Sequence, residues 1–143
     1  MKTRLVLVTI ALSMLVAACG NNGGGGGGSV DKGMIDAIQG YTESVYQAQV
    51  DRFPTYICKD HVDTMTKQVK DAGIPPSTSG NTYDISGITF KVDSINGDTA
   101  KLSIASGELK VTDKNGKVLT ALTAIPGSFN GIVLKNENGW KVC

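Results

Sequence analysis

Apolar and polar positions follow two different periods along this chain, and the change between them divides it. Met34, Ile38, Tyr41, Val45 and Ala48 recur at three- and four-residue spacing, which marks one helix face. Asp31 stands where an N-cap is needed. Pro54 is expected to stop this segment, because the residue before a proline avoids helical geometry. Cys58, Val62, Met65, Val69 and Ala72 form a second stripe, with Asp60, Asp63, Lys67 and Lys70 falling away from it. Gly73 suits a helix C-terminus, and Pro75-Pro76 forbids continuation. The polar run from Ser77 to Asn81 predicts a loop.

Beyond that loop the period becomes two. Ile88, Phe90 and Val92 alternate with polar residues, as do Leu102 and Ile104, and Asn96-Gly97 between them predicts a hairpin turn. Leu109 and Val111 resume the alternation out of phase with Ile104, which predicts a bulge near Gly107. Asn115-Gly116 marks a second hairpin. Val118 to Ile125 and Phe129 to Leu134 read as strands around Pro126-Gly127. Asn138-Gly139 turns the chain into Trp140, Val142 and Cys143. Two helices followed by an antiparallel meander of about four strands predict an α+β fold, with the helices on one face of a curved sheet. The other face would be wet or would pair with a partner.

The start of the chain follows another pattern. Lys2 and Arg4 precede an apolar run from Leu5 to Ala18, the charged and apolar regions of a secretory signal. The run is about 14 residues, short of the roughly 20 that span a bilayer. It ends in Val16-Ala17-Ala18-Cys19, which resembles the bacterial lipobox. That resemblance implies a diacylglycerol on the thiol of Cys19 and cleavage just before it. Residues 1–18 are then the signal, 19–29 the lipidated cysteine with a Gly-rich tether, and 30–143 the folded domain. A Gly-rich tract buries too little apolar area to offset its chain entropy, so the composition of the tether predicts flexibility. Its hexaglycine satisfies GxGxxG by letter only, since no strand precedes it and no helix opens on it. The expected location is the cell membrane, lipid-anchored through palmitate-class chains and facing the periplasm or the cell surface.

A length of 143 residues suits one such domain. Removing Lys2 and Arg4 from the 14 basic residues leaves 12 against 13 acidic ones. Such a balance excludes the electrostatic footprint of a nucleic-acid binder. Cys58 and Cys143 remain once Cys19 is lipidated, and an oxidising compartment makes a disulfide between them the expectation. Closing a loop of roughly 85 residues would contribute up to about 4–5 kcal/mol. Without a CxxC, and with His61 as the one histidine, neither a metal nor another cofactor is expected.

The lipobox, the Gly-rich tether, the paired helices with a cysteine, the strand meander and the terminal Asn138-Gly139-Trp140-Lys141-Val142-Cys143 together resemble small bacterial lipoproteins of the nuclear-transport-factor-2-like superfamily. Asn115-Gly116-Lys117 between long strands belongs to the same likeness, which covers about residues 33 to 143. It implies a cone of helices packed on a strongly curved, cystatin-like sheet, and a homodimer through the open sheet face. The superfamily holds isomerases, dehydratases and many non-catalytic domains.

Three functional expectations follow. The first is a membrane-tethered, non-enzymatic binding or interaction domain that meets another envelope protein. The second is a carrier or sensor for a small apolar ligand, with Tyr41, Tyr46 and Tyr56, beside Phe53 and Phe90, lining a cavity or filling the core. The third is an isomerase- or dehydratase-like enzyme using His61 and an aspartate, since histidine alone titrates near neutral pH unaided. Asp36, Asp84 and Asp93 are the carboxylates to consider. Ser103 and Ser106 have no nucleophile-elbow sequence around them.

Overall fold

Asp31 begins the first helix as its sequence position requires. Its carboxylate accepts the backbone N–H of Met34 at 2.8 Å, and α1 (Lys32–Tyr46) follows. The computed structural model describes residues 28–77, 80–122 and 131–143. Cys19, most of the tether, and the Pro126-Gly127 turn lie outside the described residues.

The stripe Met34, Ile38 and Tyr41 is buried, as periodicity predicts. Ala48 is buried too, but past the helix end, where it takes a left-handed φ of 52°. The helix therefore stops before Pro54 is reached. Pro54 does the opposite of what was expected. After a 3-10 turn (Val50–Arg52) it sits in the first turn of the short helix α2 (Phe53–Tyr56), where its missing N–H costs nothing. The second stripe belongs to α3 (Lys59–Asp71), in which Val62, Met65 and Val69 are half-buried. Gly73, at φ 62°, closes α3: its N–H reaches Lys70 O at 3.0 Å and Ile74 N reaches Val69 O at 3.4 Å. This bond pair is the Schellman arrangement.

Seven strands follow among the described residues: β1 (Thr82–Asp84), β2 (Thr89–Asn96), β3 (Thr99–Ser106), β4 (Leu109–Thr112), β5 (Val118–Leu122), β6 (Ile132–Asn136) and β7 (Trp140–Val142). The molecule is α+β. Its strands form two antiparallel sheets, of order β1-β4-β5 and β2-β3-β6-β7, where one was expected. The phase change at Gly107 is the reason. The expected bulge is present at Ala105, which is skipped between the pairs Thr89–Ser106 and Phe90–Ile104, and just beyond it Gly107 marks the corner at which β3 leaves one sheet and β4 enters the other. Gly87 turns the same corner between β1 and β2. Gly107 has φ 96°, and a Cβ there would overlap the Gly87 carbonyl oxygen. The long β1–β2 and β3–β4 arms thus bend together, with their backbones in contact at two glycines.

The three Asn-Gly pairs form hairpin turns where the sequence predicts them. Asn96 pairs with Thr99 around Gly97, whose φ is 60°. In the β4–β5 turn Gly116 has φ 79°, and the Asp113 carboxylate accepts from Asn115 N at 2.8 Å and Lys117 N at 2.9 Å. Asn138 and Gly139 both have positive φ between β6 and β7.

The core lies between α1 and the sheets. Val92, Leu102 and Ile132 form one buried cross-strand row; Ala100, Leu134 and Val142 form another. Each fully buried Leu or Ile contributes roughly 1.5–3 kcal/mol relative to exposure. Two glutamines of α1 pin the β1 segment. Gln39 donates to Tyr83 O and accepts from Ile85 N at 3.2 Å, as a neighbouring strand would. Gln47, two turns on, donates to Asn81 O at 2.9 Å.

Candidate functional site

Cys58 and Cys143 are joined, with Cα atoms 4.9 Å apart. Cys58 occupies the N-cap position of α3 but offers that helix no cap, because its sulfur is in the bridge. The orphan donors of a helix start still need partners. Glu137 supplies one from 78 residues away, accepting Lys59 N at 3.2 Å.

This contact walls a cleft of about 680 Å³ between the start of α3 and the β6–β7 turn. Lys59, Asp60, Val62 and Asp63 line one side; Glu137, Asn138 and Lys141 line the other, with Pro54 at the end. Glu137 is the hub. Besides the helix N–H, it has Lys135 Nζ at 3.8 Å and Lys141 Nζ at 4.0 Å. Lys141 also donates to Pro54 O at 2.8 Å, which holds α2 to β7. Cys58 N continues the tie by donating to Val142 O at 2.8 Å. The inner charges of the cleft are therefore occupied by structure. Its rim is exposed and mixed: Lys59, Asp60 and Asp63 face solvent. Such a rim can ion-pair with a polar or charged partner.

His61 lies in the first turn of α3, exposed, with its backbone N donating to Cys58 O. Among the described residues no carboxylate stands within hydrogen-bonding distance of its imidazole. Nor does it line the cleft. The carboxylates named from sequence are each engaged elsewhere. Asp36 pairs with Lys32. Asp84 accepts Ser86 N at 2.8 Å, and that backbone bond, helped by the Ser86 hydroxyl and by Lys110, holds its carboxyl below the usual value. Asp93 accepts from Ser103 Oγ at 3.0 Å.

The tyrosines serve packing. Tyr41 is buried, and that burial, with the nearby Tyr46, pushes its hydroxyl pKa up. Tyr46 stacks on Tyr83 with ring centroids 4.8 Å apart. Tyr56 lies flat over Gly40, where a Cβ would overlap its ring, and the Arg52 guanidinium sits 5.3 Å from its centroid. Phe53 is fully buried and Phe90 packs on the core. The cleft is lined by none of them.

Sequence reading missed Glu137 and Lys141. Glu137 lies in no motif, Lys141 stands only within the terminal run that carries the resemblance, and a carboxylate that caps a helix 78 residues away leaves no local signal. The chain matches no family model, and no curated protein or solved structure is significantly similar to it.

Proposed function

We propose that this chain is an exported lipoprotein, held in the cell membrane by lipid on Cys19, whose residues 30–143 form a non-enzymatic binding or interaction domain of the cell envelope. The observation that carries this reading is the Cys58–Cys143 bridge, which closes a separation of 85 residues. Bridges of this kind persist in oxidising compartments. That agrees with the charged start, the apolar run and Val16-Ala17-Ala18-Cys19. The bent sheets beneath a helical layer agree with the nuclear-transport-factor-2-like resemblance.

Binding is favoured over catalysis by how the polar groups are used. Glu137 and Lys141 anchor α3 and α2, and His61 stands apart from the carboxylates. What the cleft offers a partner is its charged rim, which suits a protein surface of mixed charge. Growth with a clickable fatty acid tests the anchor. Label should appear on the wild-type chain and vanish in Cys19→Ala. An unlabelled wild-type chain, or a labelled variant, overturns the proposal.

A further inference from the structure

Strand register gathers charge that the linear sequence scatters. Lys101 pairs with Ser94 on one side and Val133 on the other. Lys91 pairs with Ser103, Thr99 with Lys135, and Lys135 with Lys141. Directly paired residues share a face. The intervening Ala100, Leu102, Leu134 and Val142 are buried, so the four lysines occupy the opposite face of the four-stranded sheet, which the described residues leave open except at Lys141, held to Pro54 O on the wall of the cleft. Lys91 and Lys101 are exposed, and Lys135 keeps 42% of its side-chain exposure. Three carboxylates share the face, Asp98 among them, since it accepts from the Thr99 hydroxyl at 3.0 Å. Asp93 is taken by Ser103 and Lys91, and Glu137 by α3, Lys135 and Lys141. Lys101 has no acidic partner among the described residues. The face carries four lysines against three carboxylates, an excess of one positive charge, in a domain with more acidic than basic residues.

The N-terminal link reaches the fold beside this sheet. Gly28 packs against Ile95 on the edge strand β2, on the side of the sheet that carries Val92 and not the lysines, so the link must round that edge for the lysine face to meet the bilayer. Nine peptide links separate Gly28 from Cys19. Covalent geometry limits that span to about 32 Å, whatever its conformation. A domain held so close to a bilayer meets headgroups at high effective concentration, so weak contacts are enough to orient it.

We infer that the open face of the four-stranded sheet docks on anionic lipid headgroups of the membrane in which Cys19 is anchored. The inference rests on the lipoprotein reading. Each net positive charge at an anionic leaflet favours the docked state about fivefold, so the excess of one favours it by about that factor. Screening confines the attraction to within about 8 Å at physiological salt. The face must therefore turn toward the bilayer to feel it.

The test uses the full mature chain, extracted with its lipid and reconstituted into two kinds of vesicle. One is phosphatidylcholine alone; the other contains phosphatidylglycerol as well. Limiting amine-reactive label is then read lysine by lysine by mass spectrometry. Lys91, Lys101 and Lys135 should react about fivefold more slowly on the anionic vesicles, and high salt should abolish the difference. Lys67 and Lys70 on α3 and Lys114 in the β4–β5 turn should not change. In Lys101→Gln/Lys135→Gln the protection of Lys91 should disappear. Equal labelling of an acylated chain on both vesicles overturns the docking and leaves the anchor standing. A mature chain whose Cys19 carries no acyl mass overturns the anchor and the docking with it.

Discussion

Gly107→Ala is the substitution that most directly probes the two-sheet fold. At φ 96° an alanine pays the left-handed penalty of roughly 1–2 kcal/mol. Its Cβ would also overlap the Gly87 carbonyl oxygen and lie 2.9 Å from Ile88 Cα. These are backbone atoms, so relief requires parting the corner. Overpacking of that kind costs about 1–3 kcal/mol, and the total is about 2–5 kcal/mol. Gly97→Ala is the control. It has φ 60° but nothing within 4 Å of the added carbon, so only the conformational penalty of about 1–2 kcal/mol applies. Urea unfolding can be followed by the fluorescence of Trp140, the single tryptophan, half-buried against Gly33 with its Nε1 bonded to Asp31 at 3.1 Å. The Gly107 variant should lose roughly 1–3 M in midpoint, clearly more than the Gly97 variant. Equal shifts would mean that the close approach of Gly87 and Gly107 does not hold the corner, and the reasoning would fail.

Other expectations rest on separate contacts. Replacing Cys58 and Cys143 together by alanine should lower the unfolding free energy by up to about 4–5 kcal/mol, read from denaturant curves; a loss near zero would refute a constraining bridge. Gln39→Ala should cost about 1–3 kcal/mol and speed hydrogen exchange at the Ile85 amide, because Tyr83 O and Ile85 N both lose their partner. Gln39→Glu should not rescue it, since a carboxylate cannot donate to Tyr83 O. The lowered pKa of Asp84 makes its contribution to stability complete above about pH 4 and lost as pH falls through its folded value. Asp84→Asn should therefore flatten the acid limb of a stability–pH profile, and an unchanged limb would refute the assignment. Tyr41 has the opposite sign, contributing below about pH 10 and losing that contribution as pH rises beyond it.

Much of this protein could be read from local chemistry, because local chemistry is what decides those features. A capping aspartate, Asn-Gly and Gly-containing turns, and the periods of three-to-four and two act over a few residues and need no tertiary partner. Asp31, Gly97, Gly116 and Gly139 stand where the sequence alone puts them. The two domain cysteines could be paired by compartment and elimination. Other features depend on what lies across space. The phase change near Gly107 predicts the bulge found at Ala105, but not that the chain then turns into a second sheet, which its contact with Gly87 reveals. Pro54 can end one helix or begin another; Ala48 had already ended the first. Glu137 became part of the cleft because a disulfide took the N-cap side chain of α3 and left a backbone donor to be satisfied from another element. The lysines of the open sheet face are separated by 6 to 50 positions along the chain, and hydrogen-bond register makes them neighbours. The sequence by itself thus determined the turns, the helix starts and the pairing of cysteines, while the tertiary structure decided which strands share a sheet and which charges share a surface.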